Sequence, residues 1–540
     1  MYRLKQIISL LLISCLLFAL SANVFATEQS GIDNSGLLKY EADSAELKLD
    51  YADGLIGTPE WVDSLIIVEV RPDTASIGGT LPECYDLIDF YASLGVNGIW
   101  LSPIYDRGGI GNGYSNCGPH TLEPAITGTD NYEEGWQIVK EFIDYAHSKG
   151  IYVFLDVITW GVVKTAPLLN EHPEWFNGEA WGNIAFDWSN TELQNWFTET
   201  LVNNILVTGA DGYRCDCEPI YAGYEPFRII REKLAEEDRN IILISEDTSS
   251  RSSVFDFEQD GVFDYSVTDR GGLYQNPINF YTDGYLNIVD SVKSGDGIGH
   301  YARAGERLKQ GTARYYTHCI TNHDYQRRYV KGDRIKIGYS AIFAPFIPVW
   351  YMGDEFNATN PSGVLYDLPV DFSEAQNEEN ASFLEDVKKM INIRRTYSEI
   401  FEYFPENHRR SNICEVEATG FGTLQNYARF MDNKAVLIVA NNNPDSSSGE
   451  INIPFRACNL NYYKTYTVTD LMTGEVIKEG TAEEIGTFAA EIEYSHVGAF
   501  LIEGNEVTNQ TALEISVFFN NFVETLSEKF LDFINLFEKL

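Results

Sequence analysis

The chain has 540 residues, too many for one ordinary domain, and its 44% hydrophobic and 13% aromatic content excludes wholesale disorder. Lys and Arg total 39 against 80 acidic residues, a net charge of −41. A surface of that sign repels phosphate backbones and anionic lipid heads, which argues against nucleic acid as a partner. At the N-terminus, Arg3 and Lys5 precede an apolar stretch from Ile7 to Leu20, and Val24-Phe25-Ala26 suits signal peptidase. Residues 1–26 therefore predict a signal peptide and a secreted or extracytoplasmic protein, possible cell-surface association included. Leu12-Ile13-Ser14-Cys15 offers a lipoprotein box as an alternative, but the apolar run continues past Cys15. For an uncleaved anchor the run is short.

After a lead segment over residues 27–60, apolar runs alternate with segments of helical period from 61 to 400. Strands are expected at 64–70, within 95–103, at 151–157, before Asp216, before Glu246, at 262–267, 316–321 and 348–352. Eight strands with intervening helices are the count of a closed (β/α)8 TIM barrel, with a short inserted loop at 158–190. From 410 to 505 short alternating runs such as 435–440, 466–468 and 498–502, separated by turns, predict an all-β sandwich domain. In the tail, 507–540, Phe519, Val523, Leu526, Phe530, Phe533, Phe537 and Leu540 form an apolar seam on one helix face. Such an amphipathic helix docks on its own chain, or else serves surface association or self-association. Removing Cys15 with the leader leaves seven of the eight cysteines, an odd number, and no zinc spacing; small apolar fillers are the expectation.

Three carboxylates end apolar runs: Asp216 in Gly-Tyr-Arg-Cys-Asp, Glu246 in Ile-Leu-Ile-Ser-Glu, and Asp324 in Thr-Asn-His-Asp. On a barrel they gather at the C-terminal rim, where catalytic groups collect. Cleaving an acetal needs a proton for the leaving oxygen and stabilisation of a cationic ring carbon, both work for carboxyl groups. Arg214 lies two residues before Asp216 and points the same way on a strand, so it is expected to keep Asp216 ionised as a nucleophile. A buried Glu246 is expected to hold a proton as acid/base.

These segments resemble the α-amylase family of glycoside hydrolases. Gly212-Tyr213-Arg214-Cys215-Asp216 is similar to the family's nucleophile region, Glu246 to its acid/base, and Asn322-His323-Asp324 to the region of its third carboxylate. Gly95 to Ile104 and Pro348 to Glu355 resemble its second and eighth strands, and Tyr114 its stacking tyrosine. The resemblance implies a retaining glycosidase acting on starch-like glucans or maltooligosaccharides. Asp216, Glu246 and Asp324 would be catalytic, and Arg214, His323, Tyr114 and Trp160 would bind the carbohydrate. The family's third strand runs Asp-Val-x-x-Asn-His, whereas this chain has Asp156 to Gly161, with Trp160 and Gly161 at the last two places. Trp160 puts the family's calcium site in doubt, and no other cofactor is implied. Trp160, Trp175 and Trp181 are candidates for stacking on sugar rings. A transglycosylase or isomerase with the same triad, and a barrel that only binds carbohydrate, remain the alternatives.

Overall fold

The computed structural model describes Trp61 and residues 64–218, 220–246, 265–267, 315–324, 333–345, 347–359, 368–401, 412–431 and 433–507. The predicted leader, the lead segment and the helical tail beyond Val507 lie outside the described residues. Along the chain the first strands are β1 (Ile67–Val70), β2 (Gly98–Leu101), β3 (Tyr152–Ile158), β4 (Gly161–Val162), β5 (Phe176–Ala180) and β6 (Asn183–Phe186). They are followed by β7 (Gly212–Asp216), β8 (Ile242–Ser245), β9 (Tyr265–Val267), β10 (Tyr315–Cys319) and β11 (Ile347–Tyr351). Strands β1, β2, β3, β7, β8, β9, β10 and β11 pair in that order, all parallel, and β11 returns to β1 to close the barrel.

Chemistry of the sequence explains the layering. Strands β1, β2, β8 and β11 are buried at every residue, as expected for parallel strands covered by helices. Helix Tyr132–Ser148 turns Trp136, Val139, Phe142, Ile143 and Ala146 inward at helical spacing, and Asn131 caps it by accepting from the Glu134 N–H at 3.0 Å. Helix Thr191–Thr208 starts the same way, with Asn190 Oδ1 accepting from Glu192 N–H at 2.8 Å and Leu193 N–H at 3.2 Å.

Where a loop was expected at 158–190, the chain builds a small sheet in the order β4-β6-β5. It encloses its own apolar cluster of Cys117, Val162, Val163, Ala166, Leu168, Trp175, Phe186 and Leu193. Trp175 is buried there, so it is not the open stacking surface expected of it.

Behind the barrel, β12 (Ile413–Glu415), β13 (Ala418–Thr419), β14 (Tyr427–Met431), β15 (Lys434–Ala440) and β16 (Ser448–Asn452) open the β domain. Strands β17 (Lys464–Asp470), β18 (Val476–Thr481), β19 (Thr487–Glu491) and β20 (Val497–Val507) complete it. One sheet runs β12-β14-β15-β20-β17-β18 and the other β13-β16-β19, enclosing a second core. Within that core the Cys414 and Cys458 sulfurs lie 3.3 Å apart. The domain joins the barrel through Tyr427, whose hydroxyl donates to Tyr339 O at 2.6 Å, and through Tyr339, which donates to Gln425 O at 2.7 Å. No helix of the described residues is long and apolar enough to cross a membrane.

Candidate active site

Register in the barrel decides which charges meet. β3 and β7 align Asp156 with Arg214, and β7 and β8 align Arg214 with Ile244, two residues before Glu246. Alternation along β7 places Arg214 and Asp216 on one face. Arg214 is wholly buried, and its Nη1 reaches Asp216 Oδ1 at 2.7 Å and Asp156 Oδ1 at 3.2 Å. Its Nη2 reaches Glu246 Oε2 at 2.8 Å. The guanidinium lies over the Trp100 ring, 4.5 Å from the centroid, while the Trp100 indole donates to Asp156 Oδ2 at 2.7 Å. Arg214, expected both to keep Asp216 ionised and to bind carbohydrate, turns its Nη1 to Asp216 and Asp156.

One guanidinium among three buried carboxylates cannot neutralise them all, so protons are retained. Burial is the main reason that Asp156 is raised to about 6, against the opposing pull of Arg214. Asp216 and Glu246 hydrogen-bond to one another through their side chains. Burial first, and the Glu246 charge second, push Asp216 well above the usual carboxylate range despite Arg214. Burial also works against an ionised Glu246, but Arg214 and the Cys217 N–H, donating at 2.9 Å, hold it below that range. Burial and charge thus push the two carboxyls in opposite directions, Asp216 up and Glu246 down, the reverse of the expected assignment. The Cys217 N–H favours an ionised Glu246, while the nearby Asp156 charge opposes ionisation of Asp216.

Cys217 supplies its N–H because it leaves the strand, with φ +56. The strand ends at Asp216, so Cys217 does not continue it beside Cys215. Just beyond, Glu218 folds back into the interior and accepts from Ala222 N–H at 2.7 Å and Gly223 N–H at 2.9 Å. Burial raises it to about 8.

Trp160 is 3% exposed, and its indole N–H donates to Asp216 Oδ2 at 3.0 Å. It packs with Tyr114 and Ile158 rather than offering a free face as a sugar-stacking ring. Next to it, a side chain on Gly161 would bring Cβ to 2.1 Å from Ile184 O, because β4 pairs with β6 there. The histidine that the resemblance leads one to expect has no room. Nor do these residues suit calcium at this place: the indole offers a donor, aimed at a carboxylate, and Gly161 offers no side chain. Among the described residues, Asp216, Cys217 and Glu246 bring ligand-type atoms within 4.8 Å of one another. The Arg214 charge in the same place opposes a cation.

His323 and Asp324 follow β10. The His323 ring stacks on Tyr114 at 3.7 Å, and its Nδ1 pairs with Glu69 Oε1 at 2.7 Å while its backbone N–H donates to Glu69 Oε2 at 3.1 Å. Burial would lower His323, but the Glu69 charge, with Asp324 next, raises it to about 9. The Tyr114 hydroxyl lies 2.9 Å from Glu69 Oε1, 2.8 Å from Asp156 Oδ2 and 2.8 Å from His323 Nδ1. One face of Tyr114 is therefore already occupied by an imidazole. Asp324 has a 41% exposed side chain, with Oδ1 3.7 Å from His323 Nε2. The residue that sequence reasoning missed is Glu69 on β1, wholly buried. Its signal was a lone charge inside the apolar run Ile66 to Val70.

A barrel whose rim gathers carboxylates around an arginine, backed by a β sandwich, defines a class, and the comparisons give it a family. Alpha-amylase MalA of Haloarcula japonica is 23% identical over 325 residues, 55% of this chain and 45% of that protein. Malto-oligosyltrehalose trehalohydrolase of Deinococcus radiodurans is 22% identical over 366 residues, 60% of this chain and 59% of that protein. The chain thus spans about half the length of these curated relatives. Among solved structures, the alpha-amylase from Geobacillus thermoleovorans complexed with acarbose aligns at TM-score 0.60 and 17% identity, over 82% of this chain and 99% of that one. The maltogenic alpha-amylase AmyB from Thermotoga neapolitana aligns at TM-score 0.58 and 16% identity, over 82% and 97%. No family model matches. The sequence relatives and structural neighbours are alike α-amylase family enzymes, and this chain is similar to them in sequence and in fold.

Proposed function

We propose that the protein is an exported glycoside hydrolase that cleaves α-glucosidic bonds of glucans or maltooligosaccharides with retention of configuration. The observation that carries this is the Asp216–Glu246 pair held by the two ends of Arg214. Both carboxyls meet the same guanidinium, a close spacing that favours a nucleophile over a carboxylate with room for water between the pair. Export rests on residues 1–26, and N-terminal sequencing of the mature protein tests it.

In this mechanism Asp216 and Glu246 hold one proton between them at rest, and a glycosidic oxygen bound beside Glu246 draws that proton onto Glu246. Glu246 protonates the leaving oxygen while Asp216 attacks the anomeric carbon, forming a carbon–oxygen bond as the glycosidic bond breaks. Glu246, now ionised, takes a proton from water. The hydroxide formed displaces Asp216 from the same carbon and restores the resting pair. Asp324 and the His323 imidazolium would hold sugar hydroxyls and favour the distorted ring.

A proton-NMR time course with maltooligosaccharides tests this. The parent protein should release α-anomeric ends, and Asp216→Asn should release none. First-formed β-anomers would refute retention, and a fully active Asp216→Asn would refute the nucleophile. The product ladder separates hydrolysis from transfer.

A further inference from the structure

The inserted hairpin turns on two residues, Trp181 and Gly182, both with positive φ, +52 and +78. A two-residue turn of this kind matches the twist of a hairpin, and its first place ordinarily takes asparagine, aspartate or glycine. A bulky residue there is an outlier. Burial does not compensate it either, since Trp181 is 70% exposed, while Trp160 and Trp175 are buried. A strained backbone that presents a bare indole points to use of the indole rather than to packing.

Its surroundings say what that use is. Asn183 Nδ2 donates to Trp181 O at 3.2 Å and to Ser115 Oγ, on the loop after β2, at 3.1 Å. On the other side Tyr221, on the loop after β7, packs on the same small cluster as Ala180, the neighbour of Trp181. Ala180 and Tyr221 pack, with Cys217, against the cluster of Trp160, Tyr114 and Ile158. The tip is therefore braced across two rim loops, beside the wall through which Trp160 touches Asp216. Ile220, 53% exposed, extends the apolar surface.

We propose that Trp181 and Tyr221 form a platform for a glucosyl ring outside the cleaved linkage, which makes Trp181 a determinant of substrate chain length. The inference rests on the α-glucan reading given above. The C–H face of a pyranose covers an indole well, and Tyr221 adds a second ring with a polar tip beside it.

Trp181→Asn separates this role from a structural one, because asparagine suits the turn better than tryptophan. Its melting temperature should equal or exceed the parent's. Its kcat/KM on maltohexaose should fall roughly tenfold, with a smaller loss on maltotriose, as expected for one lost stacking contact. Tyr221→Phe should shift the same ratio in the same direction, by less. An unchanged ratio between the two substrates in Trp181→Asn would overturn the platform. If the parent cleaves neither substrate, the proposed function fails and the platform is judged by tryptophan fluorescence with maltohexaose. A quench in the parent that Trp181→Asn lacks supports it; the same response in both proteins, or none in either, refutes it.

Discussion

Two buried arginines hold two regions of this molecule in different ways. At the junction of barrel and β domain, Arg429 donates to Asn412 Oδ1 at 3.0 Å, Ile400 O at 3.1 Å and Phe401 O at 3.3 Å. Its helix neighbour Arg394 donates to Ile342 O at 2.6 Å. These partners are neutral and do not titrate. At the rim, Arg214 faces Asp156, Asp216 and Glu246, which all do. A guanidinium among carbonyls fastens chain segments together, whereas one among carboxylates sets which of them carries a proton. The two sites look equally buried and differ in what their loss does.

Substituting both arginines by methionine breaks the comparison most directly. Arg214→Met should reduce kcat/KM by roughly a thousandfold or more, as for other lost charge-organising donors. Arg429→Met should leave kcat near the parent's and cost on the order of 2–4 kcal/mol of stability in denaturant melts, because several carbonyls lose their donor. Equal losses of turnover in the two variants would show that Arg214, too, is only a fastener.

Trp160→Phe sharpens the point within the rim. The ring is kept and the 3.0 Å donor to Asp216 Oδ2 is removed. An N–H to a carboxylate favours the ionised form, so Asp216 should become still harder to ionise. The acid limb of the kcat/KM profile should move to higher pH, with kcat down about tenfold to a hundredfold. A limb that stays in place or moves down would mean that Asp216 does not govern it.

Some of this arrangement was legible in the chain and some was not. The ends of β7 and β8 stand out because a charge closes an apolar run, and the Arg214–Asp216 pairing follows from strand alternation alone. Glu69 and His323 meet across 254 residues, and no local pattern announces that. The opposite shifts of Asp216 and Glu246 were illegible because they depend on contacts across the rim, such as the Cys217 N–H on Glu246. Gly161 reads as a lost histidine in sequence, while in the fold it is the place where β4 lies against β6.

The third contrast lies in pH dependence. His323 sits at about 9 in the fold against an ordinary 6.5. A raised imidazole adds stability that is fully present below the ordinary value and is lost as pH rises through the folded one. The window is therefore from 6.5 to about 9, and the contribution is on the order of 3 kcal/mol. Glu69→Gln removes the charge that raises it. The fall in melting temperature across that window should become shallower in the variant, and an equally steep fall would exclude the Glu69–His323 pair as its source.

The smallest effect concerns Glu218, which holds the loop carrying Cys217 and Tyr221. Its carboxyl sits at about 8 rather than 4.5, so the folded protein keeps a proton that the unfolded chain releases. Stability from this group is greatest below the ordinary value and declines as pH rises through the folded one. Glu218→Gln cannot titrate, but its amide nitrogen would face one of the two N–H groups that now meet carboxylate oxygens. At pH 6 the variant should be less stable by about 1–2 kcal/mol, the cost of one unpaired buried donor. By pH 9 the parent has given up its proton and pays for a buried charge, so the gap should narrow or reverse. Chemical denaturation at the two pH values measures this, and a gap that widens with pH would mean that the 222–223 amides stabilise the carboxylate more than burial opposes it.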